Sequence, residues 1–153
     1  MREFSERGGW WVVAQIVLFL LLGILWWTWD GHWGPVAVAA GLAIATGGAL
    51  QALWGLLALG GNLTPYPSPK HGAELIERGP YRLVRHPIYG GLVLGAAGIS
   101  LLDGNAGGLT VTLGLLVLFV GKSEFEEERL LARFPAYGEY RARVRWRLIP
   151  LLV

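Results

Sequence analysis

The hydrophobic and polar positions of this chain are not interleaved; they fall into long separate blocks. No Asp, Glu, Lys or Arg lies between Arg7 and Asp30, between Asp30 and Lys70, between Arg85 and Asp103, or between Asp103 and Lys122. A helix rises 1.5 Å per residue, so about 20 residues cross a hydrocarbon core of roughly 30 Å. The run 10–29 has that length, and the run 35–60 has it with some tilt. The runs 87–102 and 106–121 are shorter, and the turn Asp103-Gly104-Asn105 between them predicts a tight helical hairpin. Such a hairpin reaches both surfaces only with tilt or bilayer thinning. Core helices of a soluble protein are the competing reading of these two runs, but the first two are too long and too apolar for it. The pattern predicts an all-α integral membrane protein: one domain over residues 1–153, about four transmembrane helices, and a C-terminal cytoplasmic helical region over 122–153.

Composition supports this. Of 153 residues, 54% are apolar and 16% charged, where a soluble domain carries about a quarter charged. Mean hydropathy is +0.47. A disordered chain and an ordinary soluble enzyme are both excluded. The absence of cysteine excludes disulfides, thiolate metal sites and a cysteine nucleophile. His32, His71 and His86 are too scattered for a metal cluster, so no metal is expected.

Tryptophans at both ends of the first run (Trp10 and Trp11, then Trp26, Trp27 and Trp29) form an aromatic belt at each interface. They also argue against a signal peptide, which needs a shorter apolar stretch and a small-residue cleavage site. With four crossings, the N-terminus, the loop 61–86 and the tail share one side. All 13 Lys and Arg lie there, while the other side has only Asp30 and Asp103. The positive-inside rule then makes the chain a multi-pass protein of the cytoplasmic (inner) membrane, with the loop and both termini in the cytoplasm.

The polar blocks hold the candidate chemistry. In Thr64-Pro65-Tyr66-Pro67-Ser68-Pro69, three prolines at alternate positions force an extended path. Further on, Gly79-Pro80 signals a turn, and Pro87 biases His86 away from helical geometry while suiting the first position of the third helix. Arg85 and His86 therefore belong to a non-helical approach, with Tyr89 in the first turn. Backbone amides there can receive an anion; an interfacial anchor facing headgroups is the alternative. The block Lys122-Ser123-Glu124-Phe125-Glu126-Glu127-Glu128-Arg129 continues the fourth helix without proline or glycine. It reads either as a solvated extension laced by i, i+4 ion pairs such as Lys122 and Glu126, or as a site where a cationic ligand relieves carboxylate repulsion. The tail 137–147 is basic and aromatic, which suits an anionic membrane surface better than a nucleic acid.

Taken together, Gly79-Pro80-Tyr81-Arg82-Leu83-Val84-Arg85-His86-Pro87-Ile88-Tyr89-Gly90 and the pair Glu126-Glu127 resemble the isoprenylcysteine carboxyl methyltransferase family. That family's pattern is Arg-His-Pro-x-Tyr-x-Gly, a hydrophobic hairpin and a Glu-Glu pair. Leu130, Phe134, Tyr137, Tyr140, Val144 and Pro150 follow in its usual register, so the resemblance covers about 74–150. One glycine follows Tyr89 directly, as Gly90, and Gly91 occupies the expected spacing.

The resemblance implies a membrane-embedded methyltransferase that uses S-adenosylmethionine and has no Rossmann fold. By similarity, the cofactor contacts Ala73, Glu74, Leu75, Ile76, Tyr81, His86, Pro87, Ile88, Tyr89 and Glu126. Glu126 would accept from its ammonium group, and the rings of Tyr81 and Tyr89 would face its sulfonium. Arg85, Lys122 and Glu127 are the candidate catalytic residues. Lys122 stands where eukaryotic members have an arginine that meets the substrate carboxylate; lysine keeps the charge and loses the bidentate fork. The implied partners are membrane lipids and a lipophilic or small methyl acceptor, with no nucleic acid. A sterol-reductase-like enzyme using NADPH and a non-catalytic membrane adaptor are the alternative readings.

Overall fold

The computed structural model describes residues 2–69 and 72–153, with side chains from Phe4 onward. Lys70 and His71 of the long loop lie outside the described residues. The chain runs α1 (Arg2–Glu6), α2 (Gly9–Thr28), α3 (Pro35–Leu59), α4 (Pro87–Leu102), α5 (Ala106–Arg133) and α6 (Tyr137–Arg143), with short 3-10 turns at Gly60–Asn62 and Gly79–Arg82. The described residues contain no β-strand, and the protein is all-α.

Local chemistry sets these boundaries. Pro35 and Pro87 each open a helix at its first turn, where a missing N–H leaves nothing unsatisfied. His86 precedes Pro87 with φ −129° and ψ 67°, outside the helical region. Asn105 caps α5 by accepting from the Gly108 amide at 2.7 Å. Gly8, at φ 79°, separates α1 from α2 in a conformation that favours glycine.

Three helices, α2, α3 and α5, are long and apolar enough to cross a bilayer. With 16 residues, α4 rises about 24 Å, short of the hydrocarbon core. The run read as 106–121 is only the first part of α5, which continues without a break to Arg133. The helices pair as α3 on α4, α2 on α5 and α4 on α5.

Glycine sets the α3–α4 contact. Gly41, Gly48 and Gly55, seven apart, are the buried positions of α3. A Cβ on Gly41 would come within 2.8 Å of the Gly98 carbonyl, and one on Gly48 within 2.6 Å of the Gly95 amide. Backbones this close gain dispersion contacts that lipid cannot match. On α4, Gly91 abuts α3 directly, whereas a Cβ on Gly95 would itself meet nothing.

The opposite end is tied by polar groups. Trp29 donates from Nε1 to the Gly104 carbonyl at 3.0 Å, and the Asn105 amide donates to the Leu25 carbonyl at 3.1 Å. The tail packs one face inward and leaves Arg141, Arg143 and Arg145 exposed. Tyr137, Tyr140 and Val144 are spaced to share one face, and they form a small apolar core with Leu75, Leu130 and Phe134. Beyond α6 the chain lies beside the start of α4: Arg85 N donates to the Trp146 carbonyl at 3.0 Å and His86 N to the Arg147 carbonyl at 2.8 Å.

Candidate functional site

Where the first turn of α4 meets α5, a cavity of about 270 Å³ opens beneath the proline-rich loop. Thr64, Pro65, Tyr66, Ser68 and Pro69 form its outer wall. Ala73, Glu74, Leu75 and Ile76 continue that wall. Tyr81, Arg85, His86, Ile88 and Tyr89 come from the approach and start of α4, and Lys122 and Glu126 from α5. Of the residues singled out in the sequence, Pro87 and Glu127 do not line it.

The loop closes on itself through a two-way clasp. The Asn62 side chain donates to the Glu74 carbonyl and accepts from the Glu74 amide, both at 3.3 Å. The N-terminal segment grips it from outside: Ser68 Oγ donates to the Arg7 carbonyl at 3.3 Å, and the Arg7 guanidinium lies 4.5 Å from the centre of the Tyr66 ring.

Two adjacent glutamates on α5 have separate surroundings, because successive helical residues point about 100° apart. Glu126 faces the cavity, and its Oε2 accepts from Tyr89 Oη at 2.8 Å. Glu127 is buried and paired with equally buried Arg85, Nε to Oε1 at 2.8 Å. The Arg85 guanidinium is otherwise committed to backbone: Nη1 donates to the Val144 carbonyl at 2.6 Å and the Arg145 carbonyl at 2.8 Å. Arg141 and Arg147 also bring Nε within ion-pair range of Glu127, at 3.4 and 3.7 Å. The pair thus joins α5, the start of α4 and the C-terminal segment.

His86 sits between the two glutamates. Its Nε2 is 3.2 Å from Glu127 Oε1, and its Nδ1 is 3.7 Å from Glu126 Oε2. Its ring stacks on Tyr89 with centroids 5.5 Å apart, and Tyr89 stacks on Phe119 at 4.8 Å. Tyr89 therefore offers the site a hydroxyl bonded to Glu126 and a ring already in contact with two neighbours. Lys122 Nζ donates to Gln15 Oε1 at 2.7 Å and lies 5.0 Å from the Tyr89 ring centre.

Burial pushes the hydroxyl of Tyr81 well above the ordinary tyrosine range, and the charge of Glu126 adds to the shift. Burial does the same for Tyr137, reinforced by Glu127, and for Tyr140. All three are neutral donors at any working pH. Tyr140 Oη donates to the Tyr81 carbonyl at 2.8 Å, while Tyr137 Oη is buried with no hydrogen-bond partner among the described residues.

Three cavity residues escaped the reading of the residues themselves. Gln15 is the lone carboxamide in an apolar and aromatic helix, a visible signal of a polar contact inside the membrane. Asn62 carried no local signal, since its partner lies twelve residues on. Tyr137 had its place in the family register but read locally as part of a surface tail.

Fold and site together define a membrane protein with a polar cavity at one end of its helices. Residues 36–139, more than half the chain, match the phospholipid methyltransferase family. The chain belongs to that family of membrane methyltransferases, in agreement with the resemblance carried by the Arg85-His86-Pro87 motif and the Glu126-Glu127 pair. It is also similar to the cobalt-zinc-cadmium resistance protein CzcN of Cupriavidus metallidurans, at 28% identity over 90% of this chain and 61% of that protein. The nickel-cobalt-cadmium resistance protein NccN of Alcaligenes xylosoxydans xylosoxydans is 30% identical over 89% of this chain and 61% of its own length. The chain spans about three-fifths of these relatives.

Proposed function

We propose that the protein transfers a methyl group from S-adenosylmethionine to a lipophilic or small acceptor, at the cytoplasmic end of a helical bundle in the inner membrane. The observation that carries this reading is the cavity in which Glu126, Tyr89 and Tyr137 meet apolar walls from Leu75, Ile76 and Ile88. The donor fits that lining. Glu126 is a carboxylate for its ammonium group, the orphaned Tyr137 hydroxyl is a buried donor in want of an acceptor, and the apolar walls suit an adenine. Ala73, Glu74, Tyr81 and His86 would complete the contacts, while Pro87 acts by shaping the backbone. When bound, S-adenosylmethionine supplies an activated methyl group on a cationic sulfur.

The chain's own work is then alignment and exclusion of water. The loop held by the Asn62–Glu74 clasp covers the cavity. Lys122 receives the polar end of the acceptor. A carboxylate or thiolate acceptor is already ionised, so a strong general base is not needed. Arg85 and Glu127 act as positioning residues: Glu127 does not line the cavity, and the Arg85 guanidinium donates to Glu127 and to the Val144 and Arg145 carbonyls. The test is to incubate the purified protein and its native lipids with methyl-labelled S-adenosylmethionine and identify labelled products by mass spectrometry. Labelled product that disappears in Glu126→Gln supports the reading; no labelled product with the parent protein contradicts it.

A further inference from the structure

Lys122 and Glu126 stand four residues apart on α5, the spacing at which opposite charges normally pair. They do not pair: among the described residues no ion pair joins Lys122 to a carboxylate. Each is instead engaged by a neutral group from another helix. Lys122 Nζ donates to Gln15 Oε1 of α2 at 2.7 Å, with the Pro65 carbonyl at 3.5 Å. Glu126 Oε2 accepts from Tyr89 Oη of α4 at 2.8 Å, with His86 Nδ1 at 3.7 Å. All of these side chains line the same cavity. Lys122 is only 2% exposed. A buried ammonium held by carbonyl oxygens and an aromatic face, with no carboxylate in contact, is only partly compensated, and its charge costs free energy unless an anion arrives.

We infer that Gln15 is a specificity-determining residue of the acceptor side. By keeping Lys122 off Glu126, it preserves two opposite charges in one cavity, a cation beside α2 and a carboxylate beside α4. The cation end takes an acceptor with an anionic head on an apolar body. The device needs a carboxamide. A carboxylate at position 15 neutralises Lys122 directly. An aliphatic side chain there leaves the ammonium without its acceptor, free to turn to Glu126. Gln15 lies on α2, outside the stretch 36–139 of the family match. The inference rests on the methyltransferase reading above for the word acceptor; the anion preference itself does not.

Dodecanoate, dodecanol and dodecylamine, titrated into the protein in nanodiscs of neutral lipid, test it. The variants are Gln15→Leu, Gln15→Glu and Lys122→Met, with melting temperature as a check of folding. The parent should bind dodecanoate about tenfold or more tighter than dodecanol, the ratio of a single charge-assisted contact. Gln15→Glu and Lys122→Met should erase that preference, and Gln15→Leu should weaken dodecanoate about tenfold. Because Gln15→Glu conserves size, it decides the matter if Gln15→Leu does not fold. A parent without carboxylate preference, or Gln15 variants that bind dodecanoate like the parent, would overturn the proposal. A separate titration with S-adenosylmethionine reports on the donor. Failure there removes the methyltransferase reading and leaves the anion preference to stand or fall on its own data.

Discussion

Glu126 and Glu127 are neighbours that both approach His86, yet Glu126 faces the cavity while Glu127 is buried against Arg85. Removing the Glu127 carboxylate leaves the Arg85 guanidinium buried beside His86 with its ion partner gone. Breaking such a pair costs about 3–5 kcal/mol. Glu127→Ala should therefore melt well below the parent in detergent, while Glu128→Ala, at an exposed position of the same turn, should melt with it; equal melting of the two variants would contradict the structural role. Tyr89→Phe frees Glu126 Oε2 from its hydroxyl donor and lets Lys122 approach. Calorimetry should show S-adenosylmethionine binding about three- to tenfold weaker, and unchanged affinity would remove Tyr89 from the site. At this scale the sequence was informative where a motif spaced the residues. The Arg85-His86-Pro87-Ile88-Tyr89 run and the Glu126-Glu127 pair were visible as a set. Which glutamate faces the cavity was not, because that depends on the rotation of α5 against α4. Nor was Phe119, thirty residues away in sequence and stacked on the Tyr89 ring in space.

Helices were the more legible level. Apolar runs of membrane length, a proline at the start of α3 and α4, and the Asp103-Gly104-Asn105 turn all translate directly into the observed elements. The composition of the tail is dominated by arginines and does not reveal its inward face, which follows the spacing of Tyr137, Tyr140 and Val144. Helix pairing was not legible: Gly91 is visible only as a motif glycine, and the seven-residue glycine series of α3 meets it only once the two helices are set side by side. The contact can be tested by contrast. A Cβ on Gly98 would collide with the backbone of Ala45, while one on Gly47 would meet nothing. Gly98→Ala should lower the melting temperature in detergent by about 3–10 °C, the effect of overpacking. Gly47→Ala should melt at or above the parent, since alanine favours helix. Equal behaviour of the two would mean that α3 and α4 are not this close.

At the level of the molecule, the polar cavity, the arginine-rich tail and the N-terminal segment gather at one end of the bundle, and Asp30, His32 and Asp103 belong to the other. In the proposed orientation, which follows the positive-inside rule, the first end faces the cytoplasm. The chain has no cysteine, so single replacements report cleanly on sidedness. Ser5→Cys should react with an impermeant maleimide only in inverted membrane vesicles, and His32→Cys only in right-side-out ones; the reverse pattern would put the donor site outside the cell. The whole proposal converges on what occupies the cavity beside Glu126. The most direct measurement is calorimetric titration of S-adenosylmethionine and of NADPH into the purified protein and its Glu126→Gln variant. Saturable S-adenosylmethionine binding at one site per chain, at least about tenfold weaker in the variant, with no binding of NADPH, is the expected result. Binding of NADPH without S-adenosylmethionine, or a variant that holds S-adenosylmethionine as tightly as the parent, would contradict it.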